Sequence, residues 1–565
     1  MTIRSSPPDA CQAGIVLRFP VSICYINSKK HNIQVKRAMR DTGFRKRYET
    51  FKVRTEQEEM SDELIEQYNA LDIENQELRD KIQSRIRKLN MGGVPWSPKL
   101  QPYRDTIELW KMIRRKRKGI KISVKRIRRF MAKTGVHDAL ENDLEQVEIY
   151  LKVAEKDYKV AKKSAALWRN DFLDELAKAK ADKKGTEPEK ELKSLKQVEK
   201  QRRQARNIKR MRGKLGNGQV TKVYQTDEDG IKTVCETQET MVKAFFKEND
   251  ERFSQTEPTP PMQPPLVNDL GYLAETEMAD QVLEGTYEIP QEVDRYTQEL
   301  LQELRRPEIV REKGPIHTVV TPAEHTQSWK RTKEKSAEPS GPSMAEVKAA
   351  SQDEVLAGID TFMRNLPYTK GFSPKGWQLI TDVEILKKTG VYEVEQMRTI
   401  QLMHAVFNMN NKKLGRDMMK AAEASNILAP EQSGSRKHHQ SNTTGLNKRL
   451  TMDILRQRRQ AGALCSNDAK SCYDRIVHMI ASLAMRRTGM PAEPIRSMFE
   501  TLQKAAHRVT TAYGVSKQTY GTNMEIPYQG VGQGNGAGPA IWVVISTVII
   551  AMMSQQDMDS TFFRP

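Results

Sequence analysis

Residues 467–474 read Asn-Asp-Ala-Lys-Ser-Cys-Tyr-Asp, and residues 530–539 read Gly-Val-Gly-Gln-Gly-Asn-Gly-Ala-Gly-Pro. The first segment predicts a strand over the small apolar run 461–464, a carboxylate after that strand, and a helix that starts near Tyr473. The second segment predicts a glycine-rich turn before an apolar helix. Because glycine has no side chain, the backbone of such a turn can come close to a flat or charged ligand. Neither segment alone indicates an enzyme.

The two segments together, in this order and at this spacing, resemble the first palm motif and the following Gln-Gly motif of reverse transcriptases. The resemblance is closest to the enzymes of non-LTR (LINE-like) retrotransposons. Asp468, Tyr473 and Asp474 stand where that family has an Asp, an aromatic residue and a second Asp. The resemblance implies that Asp468 is the catalytic, metal-binding carboxylate and that Tyr473 lies under the nucleotide sugar and excludes a 2′-hydroxyl. Gln533 and Gly534 match the Gln-Gly pair, which lies against template and nucleotide.

The resemblance extends upstream to about residue 300. Residues 397–402 (Met-Arg-Thr-Ile-Gln-Leu) parallel the family's Arg-Pro-Ile-Ser-Leu block, with Thr in place of Pro. This implies that Arg398 contacts the nucleotide triphosphate, with Lys388 as a second phosphate contact, and the planar donors of Arg suit phosphate oxygens. Residues 432–437 resemble the Gly-Phe-Arg block of the family, with Ser in place of Phe. The resemblance implies that Arg436 and Gly532 contact the template or its backbone.

The family chemistry implies metal ions as cofactors and nucleic acids as partners. Nucleotidyl transfer uses two metal ions, here Mg²⁺ or Mn²⁺, about 3.5 to 4 Å apart and held by carboxylates from separate strands. The family supplies the second set from an aromatic-x-Asp-Asp hairpin, but this sequence has no adjacent Asp-Asp pair and ends at Pro565. We therefore expect a truncated reading frame without thumb or endonuclease, which alone synthesises little DNA. The expected partners of the intact enzyme are an RNA template, a DNA primer and deoxynucleoside triphosphates.

The composition favours a polyanionic partner. Of the 565 residues, 37% are hydrophobic and 29% are charged, and 93 Lys and Arg against 73 Asp and Glu give a formal net charge of +20. A protein this basic attracts nucleic acid before other partners. Its five Cys never form a Cys-x-x-Cys pair, so the sequence indicates neither a disulfide framework nor a zinc finger, which suits a reducing compartment.

The sequence predicts no membrane partner and an intracellular location, in the nucleus or cytoplasm. No N-terminal segment has the features of a targeting signal. The strongly apolar run 541–553 is shorter than the ~20 residues that cross a bilayer. Gly538 and Pro539 precede it as a helix cap and first helical residue would, so we expect a buried helix there.

The expected fold class is α+β, with a helical, partly coiled-coil N-terminal half followed by an incomplete right-hand polymerase fingers and palm domain. A β-hairpin is expected over 220–234, with a helix ending near Phe253. The Pro-rich residues 258–265 predict an extended linker, where we place the main domain boundary. The predicted segments are a basic, disordered N-terminus (1–54), a coiled-coil-like helix (55–90), a basic helical region (91–215), the hairpin and helix leading into the polymerase (216–257), a Pro-rich linker with a short helix (258–299), and the fingers and partial palm (300–565).

The segment 55–90 has a seam of apolar residues at the spacing of a short coiled coil. One seam Asn, Asn75, commonly sets register and favours a dimer, so we expect a homodimer through this segment. The alternative is one amphipathic helix that packs on its own chain. Thr55 and Glu58 have the spacing of a capping box at the helix start. The apolar seam residues are Leu64, Tyr68, Leu71, Leu78, Ile82 and Leu89.

Two basic runs in the N-terminal half support a second hypothesis, a non-catalytic protein that binds nucleic acid and self-associates through the coiled coil. Such runs bind phosphates with little sequence preference, or serve as a nuclear address. The alternative for any one run is a solvated helix face. The basic residues singled out are Arg114, Arg115, Lys116, Arg117 and Lys118 in the first run, and Arg202, Arg203 and Arg206 in the second.

Overall fold

The computed structural model describes most of the chain and divides it into two compact units. Unit 1 comprises residues 1–88 and 206–565, and unit 2 comprises residues 89–205. The described residues contain both helices and sheets, which confirms the α+β class. The residues described are 28–85, 98–120, 122–211, 220–226, 230–254, 259–332, 338, 340–342, 344–388, 390–462, 469, 471–522 and 524–555.

Helices alone make up the regular structure of the described residues before the hairpin. They are α1 (Ser28–Asp41), α2 (Phe44–Gln57) and α3 (Asp62–Arg85) in unit 1, then α4 (Gln101–Arg117), α5 (Val124–Thr134), α6 (Leu144–Lys163), α7 (Ala165–Lys184) and α8 (Pro188–Met211), which begins in unit 2.

Helices and short strands alternate in the remainder of unit 1. They are β1 (Val223–Thr226), β2 (Lys232–Cys235), α9 (Gln238–Phe253), α10 (Leu266–Leu270), α11 (Glu277–Glu284), α12 (Arg295–Glu303), α13 (Glu308–Lys313), α14 (Pro322–Arg331), α15 (Met344–Ala350), α16 (Glu354–Lys370), β3 (Leu379–Leu386), β4 (Met397–Leu402), α17 (Ala405–Ala424), α18 (Ser441–Arg458), α19 (His478–Arg487), α20 (Ala492–Gln503), β5 (Ala506–Thr511), β6 (Gly514–Val515) and α21 (Gly538–Gln555).

The N-terminal segment is ordered from Ser28 onwards, so the predicted disorder of residues 1–54 is wrong for its described part. Helices α1 and α2 bury an apolar face, which includes Phe44 and Phe51, and this burial offsets the entropy cost of ordering the segment. The capping-box prediction at Thr55 is also wrong, because Thr55 lies in the last turn of α2. Helix α3 begins seven residues later, where the Ser61 hydroxyl accepts a hydrogen bond from the Leu64 N–H at 3.4 Å.

The predicted coiled-coil seam lies inside the chain. Leu64, Tyr68, Leu71 and Leu78 of α3 are buried in one cluster with residues of α1, α2 and α16. The Tyr68 hydroxyl donates to the Met363 backbone carbonyl at 2.7 Å. These contacts match the intramolecular alternative rather than a seam that faces a second copy. Leu89 lies outside the described residues.

The predicted β-hairpin is confirmed as an antiparallel pair of β1 and β2, and α9 ends at Phe253 as expected. A separate four-stranded sheet has the order β4-β3-β5-β6. Strand β3 pairs antiparallel with β4 and parallel with β5, so it is buried in the middle of the sheet. This sheet supplies one wall of the candidate site.

The main core of unit 1 includes the segment that the sequence predicts to be a linker. Leu266, Leu270 and Leu283 of α10 and α11 are buried in one cluster with residues of α17, α19, α20 and α21. An extended linker in 258–299, with the main domain boundary at 258–265, is therefore wrong, because Pro261 and Met262 are buried as well and the whole segment belongs to unit 1. Proline-rich composition indicated an extended segment, but the leucines that follow it have a partner in α19.

Helix α21 carries the apolar run as a buried helix, as expected. Its Ile541, Val543 and Val544 are buried in the main core of unit 1. Among the helices in the described ranges, none has the combination of length and hydropathy that a bilayer crossing requires.

Unit 2 has its own apolar core. Leu109, Trp110 and Ile113 of α4 pack with Ile127 of α5 and with residues of α6. Helices α7 and α8 contact each other through Leu173, Ala177 and Leu195, and Arg169 forms an ion pair with Glu199. The predicted helical character of residues 91–215 is confirmed for their described helices.

Candidate functional site

The two segments that the resemblance pairs lie side by side. The Val531 N–H donates to the Tyr473 carbonyl at 2.7 Å, and the Gly530 N–H donates to the Ile476 carbonyl at 2.8 Å. On its other side the glycine loop, residues 530–538, contacts β4, where the Gln401 N–H donates to the Gln533 carbonyl at 2.8 Å. Backbone hydrogen bonds thus join three segments that are distant in sequence, at Gln401, Tyr473 and Val531, into one surface.

Helix α17 holds the second half of the glycine loop through one side chain. The Asn408 Nδ2 donates to the Gly534 carbonyl at 2.9 Å, and the Gly536 N–H donates to Asn408 Oδ1 at 2.7 Å. An amide has both a donor and an acceptor, so it can bridge two backbone groups of a turn. Sequence reasoning missed Asn408, because nothing in α17 marks which polar residue faces a loop far along the chain.

The glycines of this loop are required by the packing of the chain itself. Gly530, Gly532 and Gly534 have positive φ, a conformation that L side chains rarely adopt. A Cβ atom at Gly530 would lie 2.5 Å from the Asp474 carbonyl oxygen, and one at Gly532 or Gly534 would overlap Gln401. The expected close approach is therefore made to the protein's own atoms. Gly532 is buried, so its implied contact with a template backbone is replaced by contact with Gln401.

Tyr473 and Gln533 come from the two segments that this surface brings together. Tyr473 is half-buried, its ring lies beside Gly538 at the start of α21, and burial raises the pKa of its hydroxyl. Gln533 is half-buried, and its Nε2 donates to Asp474 Oδ2 at 3.4 Å. This hydrogen bond fixes the end of the Gln533 side chain.

The predicted catalytic carboxylate, Asp468, lies outside the described residues, as do two of the four residues of the predicted strand 461–464. The described residues 461 and 462 belong to no helix or strand. A short 3-10 turn forms at Cys472–Asp474, and the following helix, α19, begins at His478 rather than near Tyr473. The turn places Tyr473 and Asp474 against the glycine loop, whereas a helix from Tyr473 onwards would have turned their carbonyls along its own axis.

Arg398 and Lys388 lie at one end of the β3–β4 strand pair. Arg398 is exposed on β4 and pairs in register with Ile385 of β3. It shares a strand face with Ile400, which forms an isolated bridge with Gln533. Lys388 is exposed in the connection that leaves β3, at the same end of the strand pair as Arg398. Both cations are accessible to an anionic ligand.

Arg436 is committed to contacts within the chain. Its Nε and Nη2 donate to Glu423 at 2.9 and 2.8 Å, and its Nη1 donates to the carbonyls of Ala429 and Gln432. The Arg436 guanidinium lowers the pKa of Glu423. With its donors used to hold the loop after α17, Arg436 has a structural role that differs from the implied contact with template.

A buried carboxylate network behind Gln533 escaped sequence reasoning. Asp382 and Glu384 lie on the same face of β3, and Asp474 is close enough to Asp382 to feel its charge. Burial raises the pKa of Asp474 to about 6 and, aided by the nearby Asp382, that of Glu384 to about 7. The signal that marks this network is the Asp-x-Glu spacing in an otherwise apolar strand.

Most carboxylate oxygens of this network accept hydrogen bonds, and the Arg252 guanidinium compensates part of their negative charge. Asp382 Oδ2 accepts from Tyr520 Oη at 2.6 Å and lies 3.1 Å from His507 Nδ1. Glu384 accepts from Asn249 at 3.1 Å and from Thr399 at 3.0 Å. The Arg252 guanidinium donates to Thr399 at 2.7 Å and opposes the effect of burial on the pKa of Asp474. The Oδ1 atoms of Asp382 and Asp474 are buried without a hydrogen-bond partner.

The described residues supply no metal centre by themselves. Across the ranges that the structure describes, no three His, Cys, Asp or Glu side chains lie together in a way that could hold a metal ion. The metal site that the resemblance implies therefore depends on Asp468, whose placement is not described.

The first predicted basic run lies on α4 and the residue after it, and several of its cations have partners. Arg114 and Lys118 both lie 3.6 Å from Glu148, and Arg117 donates to the Leu140 carbonyl at 2.6 Å. Arg115 and Lys116 are exposed. The second run, Arg202, Arg203 and Arg206, lies on α8 as expected, with side chains outside the described part.

No family model matches this chain, and no curated protein matches it.

Proposed function

We propose that residues 379–555 form part of the fingers and palm of a reverse transcriptase of the non-LTR retrotransposon type, an RNA-directed DNA polymerase by descent. One observation carries this proposal: the glycine loop is hydrogen-bonded both to the turn that holds Tyr473 and to β4, which carries Arg398. The turn at Tyr473 and the glycine loop, which are distant in sequence, thus form one surface with β4, the strand that carries the exposed Arg398. An unrelated chain with chance motif matches has no reason to bring them together.

Different residues of this surface would contact different parts of a nucleotide. Arg398 and Lys388 would bind the triphosphate, since both are exposed and neither forms an ion pair with a described carboxylate. Tyr473 would pack against the sugar, and Gln533, oriented by Asp474, would contact the template–nucleotide pair. Asp468 would hold Mg²⁺ or Mn²⁺, which neutralises the phosphate charge that develops during transfer.

We expect the chain alone to synthesise little DNA. Nucleotidyl transfer needs carboxylates from two segments, and the sequence contains only the first of the two motifs. Nucleotide binding does not depend on the full catalytic set, so binding is the sharper test of the proposal.

The test is the affinity of the protein for a deoxynucleoside triphosphate in the presence of Mg²⁺, an RNA template and a DNA primer. Arg398→Gln should weaken nucleotide binding about ten- to a hundredfold, because a charge-assisted hydrogen bond contributes roughly 1.5–3 kcal/mol. Arg295→Gln is the matched control, because Arg295 is a surface Arg of α12 paired with Glu299 at 2.7 Å. Equal affinities for wild type, Arg398→Gln and Arg295→Gln would contradict the proposal.

Primer extension on the RNA template tests the expected lack of synthesis. We expect product near the background level for the wild type and for Asp468→Ala. Robust Mg²⁺-dependent synthesis that Asp468→Ala abolishes would show that the chain holds a complete metal site, and the expected inactivity would then be wrong.

The second candidate, a non-catalytic nucleic-acid-binding protein, is favoured by the exposed cations of unit 2. It predicts binding that persists without nucleotide, without Mg²⁺ and after Asp468→Ala. The self-association part of this hypothesis has less support, because the seam expected to join two copies is buried within the chain.

A further inference from the structure

Unit 2 carries a surface of cations that form no ion pair within the part of the chain that the structure describes. Between Glu108 and Asp138 the sequence contains many Lys and Arg but no Asp or Glu. This stretch covers the second half of α4, the turn after it and the whole of α5. Cations that have no local carboxylate pair with groups from elsewhere, bind a ligand, or are solvated with counterions.

Ion pairs divide the cations of this stretch into two sets. Several are neutralised by α4 and α6: Lys111 lies 3.8 Å from Glu155, Arg126 lies 3.9 Å from Glu108, and Lys133 lies 2.6 Å from Asp105. Others are exposed, and their side chains form neither an ion pair nor a hydrogen bond with any described residue, unlike Arg117, which donates to the Leu140 carbonyl. This unpaired set is Arg115, Lys116, Lys125, Arg128 and Arg129.

Three members of the unpaired set share one face of α5. Lys125, Arg128 and Arg129 stand at positions i, i+3 and i+4, which are neighbours on a helix and span about 6 Å along its axis. Ile127 faces the opposite way and is completely buried. The side of α5 with Arg126 and Lys133 faces the carboxylates of α4, so the outer face keeps its full positive charge.

We propose that this cationic face of α5, with Arg115 and Lys116 at the end of α4, binds the phosphate backbone of nucleic acid. Charge complementarity selects the ligand, because a polyphosphate backbone offers closely spaced charges to a row of exposed cations. A membrane surface fits less well, since Ile127 is buried in the core of unit 2 and Phe130 and Met131 are partly buried against it. The site lies in unit 2 and does not depend on the proposed polymerase function.

The chemistry of the face predicts the character of the binding. Guanidinium and ammonium groups would contact phosphates rather than base edges, so affinity should depend strongly on salt and weakly on sequence. RNA and DNA should both bind. Substitutions of unpaired and of ion-paired cations on these two helices can therefore be compared directly, since each substitution removes one positive charge.

The test measures binding of a short single-stranded RNA, and of a DNA duplex, to the full chain by fluorescence anisotropy over a KCl series without nucleotide or Mg²⁺. Arg128→Gln with Arg129→Gln should weaken binding roughly tenfold and lower the log–log salt slope by about 1.5, the loss of two phosphate contacts. Lys111→Gln with Arg126→Gln removes the same charge from ion-paired positions, and it should leave the slope nearly unchanged.

Lysine footprinting of the wild-type protein provides a second readout that needs no variant. Bound RNA should protect Lys116 and Lys125 from acetylation, while Lys111 and Lys133 should react at the same rate with and without RNA. Equal losses for the two double variants, or equal protection of paired and unpaired lysines, would overturn the proposal. Binding to anionic vesicles or to a nuclear import receptor, with no binding to RNA or DNA, would overturn it as well. Failure of the nucleotide-binding test at Arg398 would leave this result unaffected.

Discussion

The buried carboxylates next to the glycine loop, Glu384 and Asp474, have pKa values that burial raises above the usual values. Glu384 lies on the central strand of the sheet, where water is excluded, so its charged form loses hydration on folding. Its hydrogen bonds with Asn249 and Thr399 return only part of that loss. The folded chain therefore holds a proton on Glu384 at pH values where the unfolded chain releases it.

This raised pKa predicts that stability falls as the pH rises. The stabilising contribution of protonated Glu384 is complete below its unfolded pKa, near 4.5, and is lost as the pH rises through its folded pKa of about 7. The expected loss is on the order of 2–3 kcal/mol. Urea unfolding between about pH 4.5 and about pH 8 measures it. Glu384→Gln should flatten the pH profile, whereas Glu395→Gln, at an exposed position, should not; identical profiles for both variants would contradict this account.

The glycine loop is the element that joins the site. It contacts the turn at Tyr473, strand β4 and Asn408 of α17, and each contact uses backbone groups that a side chain would block. His478 adds a further hold, with its Nε2 2.6 Å from the Gly530 carbonyl. A glycine is thus needed where two backbones meet, whatever ligand the surface binds.

Gly534→Ala should destabilise the protein by about 1–3 kcal/mol, since its Cβ would overlap the Gln401 carbonyl and its φ of +141° is strained for alanine. Gly445 of α18 is the matched control, because nothing lies near its Cβ position. Gly445→Ala should stabilise the helix by roughly 0.5–1 kcal/mol. Chemical denaturation of both variants gives the comparison, and a Gly534→Ala protein as stable as wild type would rule out the tight packing of this loop.

At the scale of the whole molecule, the chain divides differently from the sequence prediction. The helices before residue 88 belong with the segment after residue 206, and the intervening residues form a unit with a core of their own. Helix α3 is central to this arrangement, because its apolar face packs on α16, nearly three hundred residues further along the chain. Unit 1 is therefore built from two distant parts of the sequence.

Burial of the α3 seam inside the chain predicts a stability that does not depend on protein concentration. Leu64→Ala should cost about 2–5 kcal/mol, the usual range for a cavity at a fully buried Leu. Ile73→Ala, at an exposed position of the same helix, should change stability by less than about 0.5 kcal/mol. Unfolding at several protein concentrations, with sedimentation to give the mass, checks both. A dimer that Leu64→Ala dissociates would support the coiled-coil seam instead.

The sequence by itself determined the elements whose signals are local. The hairpin of β1 and β2, helix α9 after it, the buried apolar helix α21 and the α+β class follow from alternation, turn residues and apolar runs, which act over a few neighbouring residues. The resemblance also selected residues 473, 474 and 530–538 as one site, and the described contacts join them. Its functional meaning stays a prediction until nucleotide binding is measured.

Only the tertiary structure decided which surface each residue meets. An apolar seam at coiled-coil spacing fits a second copy or the same chain equally well, and the presence of α16 settled the matter for α3. Arg436 and Gly532 stand at positions that match the family motifs. In the fold, however, Arg436 binds Glu423 and Gly532 packs against Gln401, so both are engaged within the chain. Likewise the sequence shows which residues of unit 2 are cations, whereas the ion pairs with carboxylates of α4 and α6 determine which of them stay unpaired among the described residues. Local patterns fix backbone conformation, while partners distant in sequence fix charge, burial and access.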